Sequence, residues 1–552
     1  MKRVNPVKKD DGLYFADMSK CYPSSAISEK RSRKTWKKFH YETEKMSGIL
    51  LVACYGVDPP VLSLPVKVKG RYKVFVGLYG EHGFYAGIRI KLKKDHCFHH
   101  LVSRNSISRG DTINEVFWKE AEMIDEVIEI APYSKKDDDR ITSGIAYIRL
   151  VPAEEKTEPD RKPDIYLAAF NDAYSFIYYH RPVTKKEIQE QIEVFRDTPF
   201  KKIYWGMAAG DVATYPTNIG SRTNIDLDVY PRIGDRNYAE SCRILRNKKF
   251  DILKIAVEHA KKIGLEFHVY HRLGFVTGQP PWEEMMYSKF FYKNQKFLCY
   301  DRDGTKISRL SYAYPEVQQH CINLYKEVAS YGIDGINFAF HRGVPLVLFE
   351  KPIVEGFKSR FGEDPRKLPD TDQRLFQFRS SIITGYLERV RKEFPWLELA
   401  ATVLINEANN RFYNLDIKNW IDKKIIDVLI PYGQDRGLAH KGVIDMEYFS
   451  KLTKGTSCQL CPELRAVRSW MTPEQHYVDM ASYFYKYDID GICFWDIESR
   501  FVFPKEWRII NELCWKKGLK SRINRIKDDF RDIPLKTLNG YAANRYPFWW
   551  SY

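Results

Sequence analysis

The sequence predicts an α/β chain: a (β/α)8 TIM-type barrel preceded by an antiparallel β-sandwich domain. Three observations predict it. First, residues 331–338 (YGIDGINF) and 487–494 (YDIDGICF) repeat one another, each after a long helical stretch and each before a polar cluster. A helix, an Asp-Gly step and an apolar strand ending in polar groups make the βα-barrel repeat, whose active sites lie at the carboxyl ends of the strands. Second, strand and helix patterns alternate eight times from residue 165 to 515, as a barrel with long loops requires. Third, short alternating runs without a long helix fill residues 48–152, the pattern of an antiparallel sandwich. An open doubly wound sheet is the rival fold, but no GxGxxG follows any predicted strand, which removes its usual dinucleotide site.

Taken in order, residues 1–45 are polar and basic and read as irregular. The runs 71–79 (RYKVFVGLY), 87–92 (GIRIKL) and 144–150 (GIAYIRL) read as sandwich strands, and 154–162 (EEKTEPDRK) as a charged linker. Barrel strands are predicted at 165–171, 202–208, 265–271, 333–340, 398–405, 426–432, 456–461 and 489–495, with amphipathic helices such as 184–196, 250–263 and 378–394 between them. The expected domains are an accessory sandwich with its irregular lead segment (1–155), the barrel (156–515) and a basic, then aromatic extension (516–552) docked on the body. Loops 209–249, 272–314 and 343–375 follow predicted strands. They therefore belong at the carboxyl face, where long loops carry binding.

Composition narrows the function. A chain of 552 residues exceeds one ordinary core, and 44% hydrophobic with 14% aromatic content excludes wholesale disorder. Lys plus Arg outnumber Asp plus Glu by 88 to 72, a formal charge of +16. No block of five or six consecutive basic residues and no zinc-finger or RNP-like pattern occurs, so nucleic acid is not the expected partner. A sulfated or uronate polysaccharide fits the charge as well as a solvated basic surface does. The ten cysteines contain one CxxC, Cys458 and Cys461, inside a predicted strand. These read as buried thiols, and with no HxH or HExxH spacing the expectation is no metal and no cofactor. The longest apolar run, 49–57, is too short to cross a bilayer, and the first residues lack an apolar signal core. The expectation is a soluble protein without membrane association, cytoplasmic unless a leader was removed, in which case periplasmic or secreted.

Strand ends supply the candidate chemistry. Strand two carries Trp205, and Asp211 and Tyr215 follow it; at strand three come His271 and Arg272; at strand four, Asn337, His341, Arg342 and then Glu350. Strand five ends at Asn406-Glu407, strand six at Tyr432 and Asp435, strand seven at Glu463 and Arg465, and strand eight at Trp495, Asp496 and Glu498. Glycoside hydrolysis needs two carboxyl groups across a sugar-sized gap, one protonated as acid and one acting as nucleophile or base. Glu350 and Glu463 are the favoured pair. Glu350 stands in a nearly apolar run, VPLVLFEKP, and Glu463 follows its strand directly; burial would raise a pKa and suit an acid. Asp496, Asp435 and Glu407 compete. The other named residues, Trp205 and Trp495 among them, are expected to bind substrate through ring faces, guanidinium forks and hydrogen bonds. For each carboxylate the bland alternative is a structural ion pair with Arg465 or Arg342, and for each Trp it is core packing.

The stretch 331–368 (YGIDGINFAFHRGVPLVLFEKPIVEGFKSRFGEDPRKL) resembles the bacterial glycosyl-hydrolase-like family 10 barrels, which are related to clan A glycosidases. WGMAAGDVATYPTNIG (205–220), VYHRLGF (269–275) and DRDGTKISRLSYAYPEV (301–317) extend the resemblance, and EVFWKEAE (115–122) resembles the sandwich that precedes such barrels. The resemblance implies a carbohydrate-active barrel and leaves the substrate unnamed. One departure stands out: relatives carry Asp where this chain has Asn337, and the clan's Asn-Glu pair at strand four is missing there. Asn406-Glu407 is such a pair, one strand later. The resulting expectation is a glycoside hydrolase acting on an anionic poly- or oligosaccharide. The alternatives are a non-catalytic glycan-binding barrel, or a barrel lyase or aldolase acting on a small phosphorylated or acidic substrate.

Overall fold

A computed structural model describes residues 2–53, 59–103, 108–133, 141–153, 162–275, 280–433, 443–464, 474–495, 497, 500–524, 526 and 530–543. Eight parallel strands form the barrel: Tyr166–Asn171, Phe200–Ala209, Glu266–Arg272, Gly335–Ala339, Glu398–Val403, Val428–Pro431, Gln459–Leu460 and Gly491–Phe494. Each pairs in parallel with the next. Strand eight pairs with strand one, and a parallel bridge between Glu463 and Cys493 joins strand seven to strand eight. The sheet therefore closes and leaves no strand edge to manage.

Alternate residues of each strand face the barrel axis. Their side chains form an inner cluster that includes Phe170, Tyr204, Tyr270, Ala400, Ile430 and Cys493. The intervening residues, such as Trp205, Val269, Phe338 and Leu429, pack outward under the helices in a larger second core. Helix ends follow local chemistry. Thr184 and Glu187 form a capping box at Lys185–Glu193, and Pro315 starts Pro315–Ala329, where a missing N–H costs nothing. Gly335 faces inward, and a Cβ there would lie 2.2 Å from His268 Nδ1. Only glycine allows strand four to pass that ring.

The first domain is a β-sandwich. Strands Lys69–Tyr79, Thr112–Ile124 and Ile141–Pro152 pair antiparallel on one side, and Leu62–Pro65, Tyr85–Leu92 and Val127–Pro132 on the other. Val76, Ile148, Ile90, Leu64 and Ile130 fill the space between them. Residues 1–45, expected to be irregular, supply the strands Val7–Lys9, Gly12–Phe15 and Trp36–Thr43. The last of these reads WKKFHYET, and its half-buried Lys and exposed His and Glu hide the buried Trp36, Tyr41 and Thr43. The chain then returns at its far end. Phe530–Leu538 inserts between Thr112–Ile124 and Trp36–Thr43 and pairs with both. The domains meet through Arg89 Nη1, 3.2 Å from Glu187 Oε1, and His100 Nε2, 3.2 Å from Glu190 Oε2. Cys458 and Cys461 are buried free thiols, and no helix among the described residues is long and apolar enough to cross a membrane.

Candidate active site

The inner cluster rises into an aromatic floor at the carboxyl ends of the strands. Phe170 stacks on Trp495 with centroids 4.6 Å apart, and Tyr270 lies 5.2 Å from the same indole. The His341 ring sits 4.0 Å from Tyr432 and 4.8 Å from Trp495. Two guanidinium groups cover these rings. Arg342 lies 4.8 Å over Trp495, and Arg272 lies 5.9 Å from the Tyr270 centroid. Arg272 also stands 3.6 Å from Asp172 Oδ2. Among the described residues Arg342 makes no ion pair, and it lies over the indole face. Burial, then the charges of Arg342 and Arg272, hold the His341 pKa well below the ordinary histidine value. The imidazole is therefore neutral at neutral pH.

A cavity of about 300 Å³ opens beside this floor, at the lower end of the size range for ligand pockets. Arg342, Arg272, Tyr270 and Asp172 line its axial side. Asp172 follows strand one directly and holds the start of the helix Ser175–His180. It accepts from the backbone N–H of Ser175 at 2.6 Å and of Tyr174 at 3.0 Å, and from Ser175 Oγ at 2.7 Å. On the far side of the mouth, Glu463 continues the inward positions of strand seven after Cys461. It is 2% exposed and accepts from the Gly433 N–H at 3.3 Å.

The expected residues divide by the direction they face. Arg272, Asn337, His341, Arg342, Tyr432, Glu463 and Trp495 lie on the axial side. Among them Asn337 is deepest, accepting from Thr402 Oγ1 at 2.9 Å. Trp205 and His271, expected to touch substrate, face outward instead, because strand parity sends them under the helices. Trp205 packs on Phe176 and Phe267. His271 is fully buried, with Nδ1 2.7 Å from Tyr325 Oη and Nε2 2.6 Å from the Gly210 carbonyl, and burial lowers its pKa to about 4. Asp211 and Tyr215 are also buried outside the mouth, against His320 at 3.3 Å and Glu327 at 2.9 Å respectively.

Of the favoured pair, Glu350 is held by loop residues and Glu463 by the backbone just past strand six. Glu350 is fully buried at the N-cap of Lys351–Phe361, accepting from Ser311 Oγ and from the Leu348 N–H at 3.1 Å. Those partners belong to the loops outside the barrel. Burial raises its pKa against the lowering effect of those hydrogen bonds, so the carboxyl has the expected environment in an unexpected place. Glu407 is exposed in the first turn of Glu407–Phe412. Asp435, Arg465, Asp496 and Glu498 lie outside the described residues. The residues that sequence reasoning missed are Asp172, Tyr270 and Phe170. Asp172 carried a readable signal, since it is the first residue after strand one in FND.

Residues 165–436, the first six strands of this barrel, match the family model of glycosyl hydrolase-like 10. Over those residues the barrel is similar to that family. No curated protein matches the chain. Among solved structures, an α-galactosidase from Thermus thermophilus is 10% identical, covering 90% of this chain and 99% of that one with a TM-score of 0.35. Chitinase ChiW from a Paenibacillus species is 12% identical over 81% of this chain and 43% of its own, with a TM-score of 0.36. A β-galactosidase from Marinomonas ef1 is 9% identical over 60% and 54%, with a TM-score of 0.37. Likenesses this distant carry nothing about substrate or mechanism.

Proposed function

We propose that this glycosyl hydrolase-like barrel is a glycoside hydrolase that cleaves an anionic, uronate-containing or sulfated saccharide at the aromatic mouth. The observation that carries the reading is Arg342, a guanidinium lining the cavity, stacked over Trp495 and free of any described carboxylate. A cation held on a ring face and paired with no described carboxylate favours an anion in the space it faces, and its fork suits a carboxylate or sulfate bidentately.

Glu463, at the inner end of strand seven, is one carboxylate of the pair. Asp435 and Asp496, at the ends of strands six and eight, are its candidate partners. In the two-carboxylate mechanism one group, protonated, gives its proton to the departing glycosidic oxygen as the bond to the anomeric carbon breaks. The other attacks that carbon, or removes a proton from the water that does.

The test is turnover of matched charged and neutral oligosaccharides at low and high salt. Faster cleavage of the charged member, declining with salt, supports the reading. Equal rates without salt dependence remove the anionic substrate. Binding without turnover makes the barrel a glycan-binding module.

A further inference from the structure

The cavity has a second wall, away from the axis, built from the loops after strands one, two and three. Tyr178, Arg232 and Trp282 line it. The Arg232 guanidinium lies 5.1 Å from the Tyr178 ring and 5.2 Å from the Trp282 ring. Gly234 lets this happen: a Cβ there would fall 1.8 Å from a Tyr178 ring carbon.

Behind the wall is one fully buried carboxylate, Asp235. It accepts from Arg232 Nε at 2.9 Å and Nη2 at 2.8 Å, from Trp282 Nε1 at 3.1 Å, and from the Tyr174 hydroxyl. Three side chains that line the cavity are thus fixed by a group that does not line it. Burial opposes ionisation of Asp235, but the hydrogen bonds prevail and lower its pKa.

Asp235 also sets the charge of this wall. It neutralises Arg232, whereas Arg342 at the other end has no such partner among the described residues. The two ends therefore differ: one is cationic, and the other is aromatic and neutral, with Arg232 Nη1 left as a donor. Rigid ring faces next to a spare donor suit a sugar ring with its hydroxyls, and pre-fixed side chains lose little freedom on binding.

We propose that the Tyr178–Arg232–Trp282 wall is a subsite for a further, charge-indifferent sugar ring of an oligosaccharide, with Asp235 as its positioning residue. The proposal rests on the glycosidase reading above and adds that the substrate spans at least two rings, only one of which must be anionic.

The test is a glycan array carrying uronate, sulfated and neutral oligosaccharides of one to six units, with binding constants measured for the best series. Wild-type affinity should rise on going from one unit to longer members. Trp282→Ala should weaken the longer members roughly tenfold and leave the single unit unchanged. Asp235→Ala should do the same, and Asp235→Glu should restore part of the gain, a rescue that a purely structural role would not tie to chain length. Arg342→Ala should instead weaken every anionic member. If Trp282→Ala and Arg232→Ala both leave the length dependence intact while Arg342→Ala still acts, the subsite is wrong and the anionic mouth stands. If no glycan binds, both readings fall. Should Asp235→Ala not fold, Trp282→Ala and Arg232→Ala decide the matter.

Discussion

The two ends of the barrel both turn charged side chains toward the axis, and they treat them differently. At the amino end Lys202 is fully buried, with Nζ 2.7 and 2.8 Å from the two Glu398 oxygens and 3.6 Å from Glu266. His268, also buried, stands 3.6 Å from Glu266 and 3.7 Å from Glu398. The Lys202 ammonium and the two carboxylates neutralise one another. At the carboxyl end Arg342 lies over an indole and pairs with no described carboxylate, and Asp172 is occupied by the start of a helix. Charge at the amino end holds the fold together, and charge at the carboxyl end remains available to a ligand. That split is what a βα-barrel enzyme requires.

The contrast can be broken most sharply at Lys202. Lys202→Met leaves two carboxylates facing a buried site without their ammonium. Breaking such a pair costs several kcal/mol when fully buried, and the partial exposure of Glu266 and Glu398 reduces this to about 2–3 kcal/mol. Chemical denaturation should show that loss, while the preference for charged over neutral glycans stays as in wild type. Arg342→Ala should do the opposite. Losing one charge-assisted contact should lower kcat/KM on the charged substrate by about tenfold or more relative to the neutral one, with the unfolding midpoint nearly unchanged. A large stability loss in that variant would mean Arg342 has a structural task.

Acid sharpens the comparison further. Burial opposes ionisation of Glu266, but the neighbouring His268 ring and the charges of Lys202 and Lys201 outweigh it and hold the pKa at about 2. A depressed carboxylate contributes stability that is present above its unfolded value, near 4.5, and that is lost as pH falls toward 2. Urea midpoints should therefore drop between pH 4.5 and 2, and Glu266→Gln should flatten that drop. The smallest expected effect is salt. Raising ionic strength from about 0.05 to 0.5 M should reduce the charged-substrate preference a few-fold and leave neutral turnover unchanged.

The eight strands were legible because each is a short apolar run between turn residues, with a helical period on either side. Which residue of each run faces the axis was not legible. A parallel barrel strand is buried on both faces, so its pattern is nearly continuous rather than alternating. In KIYWGMA, both Tyr204 and Trp205 are apolar and buried, and only closure of the barrel assigns Tyr204 inward and Trp205 outward. The same parity separates His271 from its neighbours Tyr270 and Arg272. Glu350 was misplaced for another reason. An apolar context correctly marks burial, but it cannot say whether the burial is in the mouth or in the loop layer behind it. Arg342 and Trp495 were found because they stand just past strands four and eight, where strand ends alone fix the location.

The measurement that tests the central claim most directly is the ratio of kcat/KM for a uronate-containing or sulfated oligosaccharide to that for its neutral counterpart, at low salt, in wild type and Arg342→Ala. The account predicts a ratio well above one in wild type, falling toward one in the variant while its stability holds. A wild-type ratio of one, or a ratio that Arg342→Ala leaves unchanged, would contradict it.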